Sequence, residues 1–328
     1  MRLRVQLDRR RRTGRGRLRD YGIPAFKYSN EMCAIVALSL HVRGARRRRQ
    51  KSMAKNDAQA FDQEALAEAY NRALALEKAG DFDAAAKAYE DVLRIDPDDH
   101  GGAAVRLASM GRGAVPLKAP DAYVSTLFDQ HAEMFDTILV DQLGYDVPLQ
   151  LREMLHELDE EFFADRMLDL GCGTGLSADA LDDMAGHKTG VDISENMIEV
   201  AYEKGDYQAL FVGEAVRFLE TTNEPQWDLI VATDVLPYMG ELDKFFAGVA
   251  AHLSSGGHFG FSSETLDDAR LAGRAFMVGD YQRFAHAQSY VRAMLDNHDM
   301  DCVRCEDIVV RSEQGAPVPG HLYIARHR

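Results

Sequence analysis

From Arg166 onward, short apolar runs alternate with segments of helical periodicity. Arg166–Leu170, Thr189–Ile193, Ala209–Val212, Trp227–Ala232 and His258–Ser262 have the length and near-continuous apolarity of strands buried on both faces. Between them, Leu176–Met184, Glu195–Tyr202, Ala215–Leu219 and Leu242–Leu253 carry helical patterning, and Tyr281–Leu295 follows as a further helix. Two last strands, Val303–Arg311 and His321–Arg326, flank the turn segment Gln314–Gly320. That connection is too short for a parallel crossover, so the final pair is antiparallel. The pattern predicts an α/β fold with a seven-stranded, doubly wound, mostly parallel sheet.

Upstream the period changes. Gln63–Ala79 and Phe82–Ile95 form two helices, with Gly80-Asp81 as stop and N-cap and Pro97 past the second end. A Gly-rich stretch follows, with one short helix at Ala103–Ser109. Tyr123, Phe128 and Phe135 mark an amphipathic helix ahead of the first strand, suited either to core packing or to covering a cleft. The chain therefore divides into residues 1–52, a helical pair at 53–100, a linker at 101–120 and the alternating domain at 121–328.

Charge sharpens this division. Residues 1–52 hold 16 Lys and Arg against 3 Asp and Glu, although the whole chain of 328 residues has a net charge of -15. The strongly acidic remainder repels phosphate backbones, so no nucleic-acid partner is expected. The arginine blocks Arg9–Arg12 and Arg46–Arg49 flank a short apolar run, Met32–Leu40. A secretory signal fits poorly, because arginines follow the run where a cleavage site belongs. A nucleic-acid or anionic-lipid arm and a translation start at Met53 both fit, the second being the simpler; otherwise the arm is disordered. No apolar run reaches 18 residues, so no spanning helix is expected. Four cysteines do not make a disulfide scaffold, and a cytoplasmic location is the default expectation.

The candidate chemistry begins at Asp169-Leu170-Gly171-Cys172-Gly173-Thr174-Gly175, directly after the first strand. Glycines there permit a tight turn and close backbone approach to a ligand. Leu176 stands where a dinucleotide fingerprint wants its third glycine, and no lysine makes the loop a triphosphate cradle. Asp192 ends the next strand, where a carboxylate can accept the ribose hydroxyls of a nucleoside.

These residues, with Val191–Ser194, Gly213–Ala215 and Asp228–Leu236, resemble the successive motifs of class I S-adenosylmethionine-dependent methyltransferases. With Gly80-Asp81-Phe82, Ala85, Tyr89, Ile95-Asp96-Pro97 and the segment Tyr123–Asp129, the chain from Met53 resembles bacterial methyltransferases that carry one N-terminal tetratricopeptide repeat; Arg72 departs from the repeat pattern. The resemblance implies a Rossmann-like methyltransferase fold with a small tetratricopeptide-like helical appendage and S-adenosyl-L-methionine as cofactor. It implies that Gly171, Cys172, Gly173 and Gly175 face the methionine part and Asp169 its ammonium. Asp192 would hold the ribose, with Ile193 against the adenine and Met197 among the cofactor-binding residues. Glu214 would accept from the adenine amino group beside Ala215, and Asp234 with Val235 would lie near the sulfonium.

The motifs identify a methyl donor and leave the acceptor open. Tyr238, Glu264 and His286 are the candidate catalytic residues, His286 being the best base by its ordinary pKa and Tyr123, Phe128 and Phe135 the candidate lid. A small-molecule acceptor leads. A protein docked on the helical pair, or a non-catalytic cofactor-binding adaptor, are the alternatives. Cys302-Val303-Arg304-Cys305 has no second pair to complete a zinc site, so no metal is expected.

Overall fold

The computed structural model describes residues 63–328 and a two-residue strand at Val5–Gln6; the rest of the basic arm, and Met53, lie outside the described residues. Strand β1 is that Val5–Gln6 pair. The strands after it are β2 Ala164–Leu170, β3 Ala185–Asp192, β4 Ala209–Val212, β5 Trp227–Ala232 and β6 Leu253–Glu264. Then come β7 Phe276–Val278, β8 Phe284–His286, β9 Met300–Glu313 and β10 Ala316–His327.

The sheet order is β1-β4-β3-β2-β5-β6-β10-β9, with β7 and β8 attached beside β6. Strands β4, β3, β2, β5 and β6 run parallel, and β10 turns antiparallel against β6 and β9. The expected seven strands form the body, but the described sheet has ten. The additions are the edge pair of β1 on β4 and the β7–β8 hairpin. The last turn is also tighter than expected. Gln314 and Gly315 both take positive φ, 52° and 77°, the geometry of a two-residue hairpin, so the flanking strands extend to meet there.

Both faces of the sheet are covered, which is why the central stretch Leu229–Ala232 of β5 is apolar without alternation. On β5, Ile230 and Ala232 join one core with Trp227, Phe246, Phe261 and Val291. Leu229 and Val231 join the other with Leu151, Leu155, Ala178 and Tyr207. The first core is packed by α8 (Ala215–Thr221), α9 (Asp243–His252) and α11 (Gln288–Asn297). The second is packed by α5 (Val147–Leu158), α6 (Leu176–Ala180) and α7 (Glu195–Lys204). A four-residue helix, α10 (Asp268–Leu271), precedes the β7–β8 hairpin.

The N-terminal helices are α1 (Gln63–Lys78) and α2 (Phe82–Ile95), followed by α3 (Ala103–Ser109) and α4 (Asp121–His131). Asp81 caps α2 by accepting from Ala84 N, and Asp99 caps α3 by accepting from Ala103 N and Ala104 N. The stretch expected to be a linker is a packed layer. Ala103 and Leu107 of α3 enter the core of the helical pair, while Val105 and Ala108 pack with Ala119, Val278 and Phe284. Arg106, 4% exposed, ties the layers by pairing with Glu77 and donating to the Tyr70 hydroxyl. The helical pair therefore seats on the sheet domain through α3.

Candidate functional site

Strand order reverses at β2, whose neighbours are β3 on one side and β5 on the other. An open α/β sheet places its ligand cleft at the carboxyl ends beside such a point. A cleft opens there. Its floor is Gly171–Thr174 after β2, Asp192 and Ile193 after β3, Gly213–Ala215 after β4, and Thr233–Val235 after β5.

Backbone geometry explains the loop composition. Gly171 has φ +68°, and a Cβ there would lie 2.5 Å from Val235 Cγ2. Gly173 and Gly175 also have positive φ. Asp192 holds the loop in place: its two carboxylate oxygens accept from Gly173 N and Ser194 N, each at 2.8 Å. Burial raises the Asp192 carboxyl to about 6 against these opposing hydrogen bonds. Asp169 lies beneath the loop, 1% exposed, and accepts from the Tyr207 hydroxyl at 2.6 Å. Burial raises it to about 7, and its Oδ1 has no hydrogen-bond partner. Glu214 caps α8 through Oε2, accepting from Arg217 N, while its buried Oε1 accepts no hydrogen bond and lies 3.7 Å from Lys118 Nζ.

One wall is aromatic. Phe128 packs edge-on against Phe135 and Tyr238, at 6.0 and 5.3 Å between ring centres. Phe135 lies past the end of α4, beyond a 3-10 turn at Ala132–Met134, so the expected single lid helix is broken. A π-helical segment, Thr137–Gln142, follows and brings Leu139 to the cleft. The segment is anchored from below: Asp136 accepts from Thr174 Oγ1 and pairs with Lys204. Asp129 accepts from Ser194 Oγ at 2.7 Å, and its backbone carbonyl accepts from Asn196 Nδ2.

Of the expected cofactor residues, Gly171, Cys172, Gly173, Asp192, Ile193, Glu214, Ala215, Asp234 and Val235 line the cleft. Three stand elsewhere. Asp169 is under the loop, Gly175 starts α6 with its backbone against the Tyr207 ring, and Met197 is fully buried in α7. The lid residues Phe128 and Phe135 line the cleft, but Tyr123 packs on Gly102 instead, where a Cβ would meet its ring at 2.7 Å.

The expected catalytic residues separate. Tyr238 lines the cleft, and burial raises its phenol well above the ordinary value, so the hydroxyl keeps its proton at neutral pH. Glu264 lies in a buried ion network, accepting from both Arg311 and Arg283, and cannot serve as a free base. His286 was expected early in a helix; it ends strand β8 instead, 0% exposed, with its ring stacked on Tyr290. Burial lowers it to about 4, so it is neutral at pH 7 and does not reach the cleft. Lys118 and Tyr145 escaped the sequence reading, and Thr233 and Asp129 stood inside the quoted motifs without an assigned role.

Residues 168–259 match a family described as "Methyltransferase domain". Over those residues the α/β unit is similar to methyltransferase domains. Curated relatives agree over the same region. An "Ubiquinone biosynthesis O-methyltransferase" of Coxiella burnetii is 31% identical over 99 residues, 30% of this chain and 42% of that protein. A "Malonyl-[acyl-carrier protein] O-methyltransferase" of Bacillus anthracis is 29% identical over 116 residues, 34% of this chain and 42% of that protein. This chain thus spans less than half the length of either relative. Among solved structures, the "[4+2]-Cyclase SpnF" matches with a TM-score of 0.50 and 17% identity, over 66% of this chain and 99% of that one, a likeness of fold alone. The α/β domain takes no strand from the helical pair, and the tetratricopeptide likeness of that pair rests on its sequence.

Proposed function

We propose that the protein transfers a methyl group from S-adenosylmethionine to a small-molecule acceptor. The observation that carries this is Asp192: a carboxylate at the tip of β3, fixed by two backbone N–H groups, lining the cleft with lone pairs left for the ribose hydroxyls. The cleft fits the donor in two further respects. Glu214 Oε1 is a buried acceptor without a hydrogen bond beside Ala215, placed for an adenine amino group. Asp169 Oδ1 is a second such acceptor, behind the glycine loop, placed for an ammonium through water.

Bound S-adenosylmethionine supplies an activated methyl on a sulfonium. The residues of the chain then need to orient the partners and keep out water. Phe128, Phe135 and Tyr238 form the apolar wall for that, and Asp234 with Val235 closes the floor at the sulfonium end. Asp129 and Asp136 fix the wall to the floor through Ser194 and Thr174. With Glu264 held by arginines and His286 buried in the core, no carboxylate or imidazole of the expected catalytic set is a free base. This favours an acceptor whose nucleophile is ready without strong proton abstraction, with the Tyr238 hydroxyl as a hydrogen-bonding group.

Calorimetry with S-adenosylmethionine and S-adenosylhomocysteine tests the donor assignment. Asp192→Ala removes charge-assisted hydrogen bonds, so affinity should fall roughly 10- to 100-fold. Unchanged affinity refutes the ribose assignment. Incubating the protein with labelled donor and separated cell extracts tests the acceptor: label in small molecules supports the proposal, label in protein favours the docking alternative, and binding without turnover favours an adaptor.

A further inference from the structure

Away from the cleft, Cys302 and Cys305 lie on β9, an edge strand of the sheet. Residues three apart on a regular strand point to opposite faces. Here the β9–β10 register shifts between Ile324 and Ala325, so Cys305 pairs with Tyr323 and Cys302 with Ala325, which are two apart on β10. The bulge absorbs one residue of β9 and brings both sulfurs to the same face. There the two side chains are neighbours, and Cys302 Sγ donates to the Arg304 carbonyl at 3.5 Å. Both side chains are half-buried, so reagents can reach them.

Helix α11 lies over this pair. Gln288 Nε2 donates to Cys305 Sγ at 3.4 Å, and the positive charge of Arg292, one turn on, favours the Cys305 thiolate. Every partner in this cluster favours negative charge on one sulfur. The neighbouring Cys302 thiol, with Arg292 and Gln288, lowers the Cys305 thiol to about 7, while Cys305 in turn raises Cys302. Among the described residues no group of three His, Cys, Asp or Glu could hold a metal ion, so metal clamping does not explain the pair.

We propose that Cys302 and Cys305 form a redox-active dithiol that exchanges with low-molecular-weight disulfides, with Cys305 as the attacking sulfur and Cys302 as the resolving one. The Cys305 thiolate attacks one sulfur of a disulfide such as oxidised glutathione, forming a mixed disulfide and expelling one thiolate, which takes up a proton. Cys302 then gives up its proton and attacks Cys305 Sγ, forming the Cys302–Cys305 bond and expelling the second thiolate. The net change is two protein thiols and one disulfide becoming one protein disulfide and two thiols.

The full-length protein, reduced and then equilibrated with oxidised glutathione, tests this by tryptic mass spectrometry. Cleavage after Arg292, Arg304 and Arg311 separates the two cysteines. The expected product is peptide 293–304 joined to peptide 305–311, lighter than their sum by two hydrogens. Cys302→Ser should trap glutathione on Cys305, whereas Cys305→Ser should leave Cys302 unmodified. Recovery of both cysteines as free thiols, or equal glutathione uptake in the two variants, overturns the proposal. Should either variant fold poorly, alkylation rates of the unaltered protein decide. Cys305 should react roughly tenfold faster than Cys302 at pH 7, with a midpoint near 7. Equal rates overturn the assignment of the attacking sulfur.

Discussion

Arg311 grips Asp234, with one guanidinium nitrogen 2.9 Å from each carboxylate oxygen. Asp234 needs that grip: it sits just past β5 with φ +60°, a conformation that costs a non-glycine residue roughly 1–2 kcal/mol. Arg311 also pairs with Glu264 and is only 3% exposed. Replacing it with methionine keeps the bulk and leaves buried carboxylates uncompensated. Arg311→Met should therefore destabilise the protein by about 3–5 kcal/mol, read from urea unfolding. Near-native stability would mean that water or Arg283 takes over the network.

Gly171 sets how closely the loop approaches the β5 end. Gly171→Ala places a methyl 2.5 Å from Val235 Cγ2 and holds alanine at φ +68°. Donor affinity should drop by at least about tenfold, with a backbone cost of roughly 1–2 kcal/mol. The double variant Gly171→Ala/Val235→Ala removes the clash but keeps the strain, so calorimetry should show partial recovery. Full recovery would assign the whole effect to the Val235 contact.

The buried carboxylates give the free protein a characteristic pH response. Burial raises Asp169 to about 7 and Asp192 to about 6, above their unfolded values near 4. The native state therefore holds more protons than the unfolded state between about pH 4 and 7. By linkage, the contribution of these groups is greatest below pH 4 and is lost as pH rises through 6 and 7. Asp169→Asn should flatten this fall, measured as the difference in unfolding free energy between variant and parent from pH 4.5 to 8. The cationic donor prefers the ionised carboxylates, so its affinity should rise over the same interval. A difference between variant and parent that does not change with pH would place the Asp169 carboxyl at an ordinary value.

Much of this site is written locally. Trp227–Ala232 and Ala209–Val212 have the bounds that their apolar runs predict, and Gly171, Gly173 and Asp192 declare themselves by glycine spacing and strand ends. Contacts between distant segments leave no such trace. Asp129 meets Ser194 across 65 residues, and Arg311 meets Asp234 across 77, so neither can be inferred from a window of neighbours. Phe284–His286 fails for a different reason: a three-residue strand is too short to show alternation, and the true helical period of Gln288–Asn297 just beyond absorbs it. The bulge beside Cys302 is likewise a property of two paired strands and not of one.

The helical layer bears on the cleft as well as on its own core. Lys118 and Ala119 line the cleft, and the Leu117 carbonyl accepts from Gly240 N and Glu241 N in the segment after Tyr238. Val278 and Phe284, 2% and 0% exposed, depend on Val105, Ala108 and Ala119 for cover. A chain starting at Asp121 would uncover both, at about 1.5–3 kcal/mol for each side chain fully exposed. It would also lose Lys118 beside Glu214. Such a truncation should lower the urea midpoint and weaken donor binding together, whereas a chain starting at Gln63 loses only the β1–β4 edge pair, keeps every one of these contacts and should bind the donor as the parent does. Undiminished donor affinity in the shorter chain would show that the helical layer is a separable module, and would favour the protein-docking alternative.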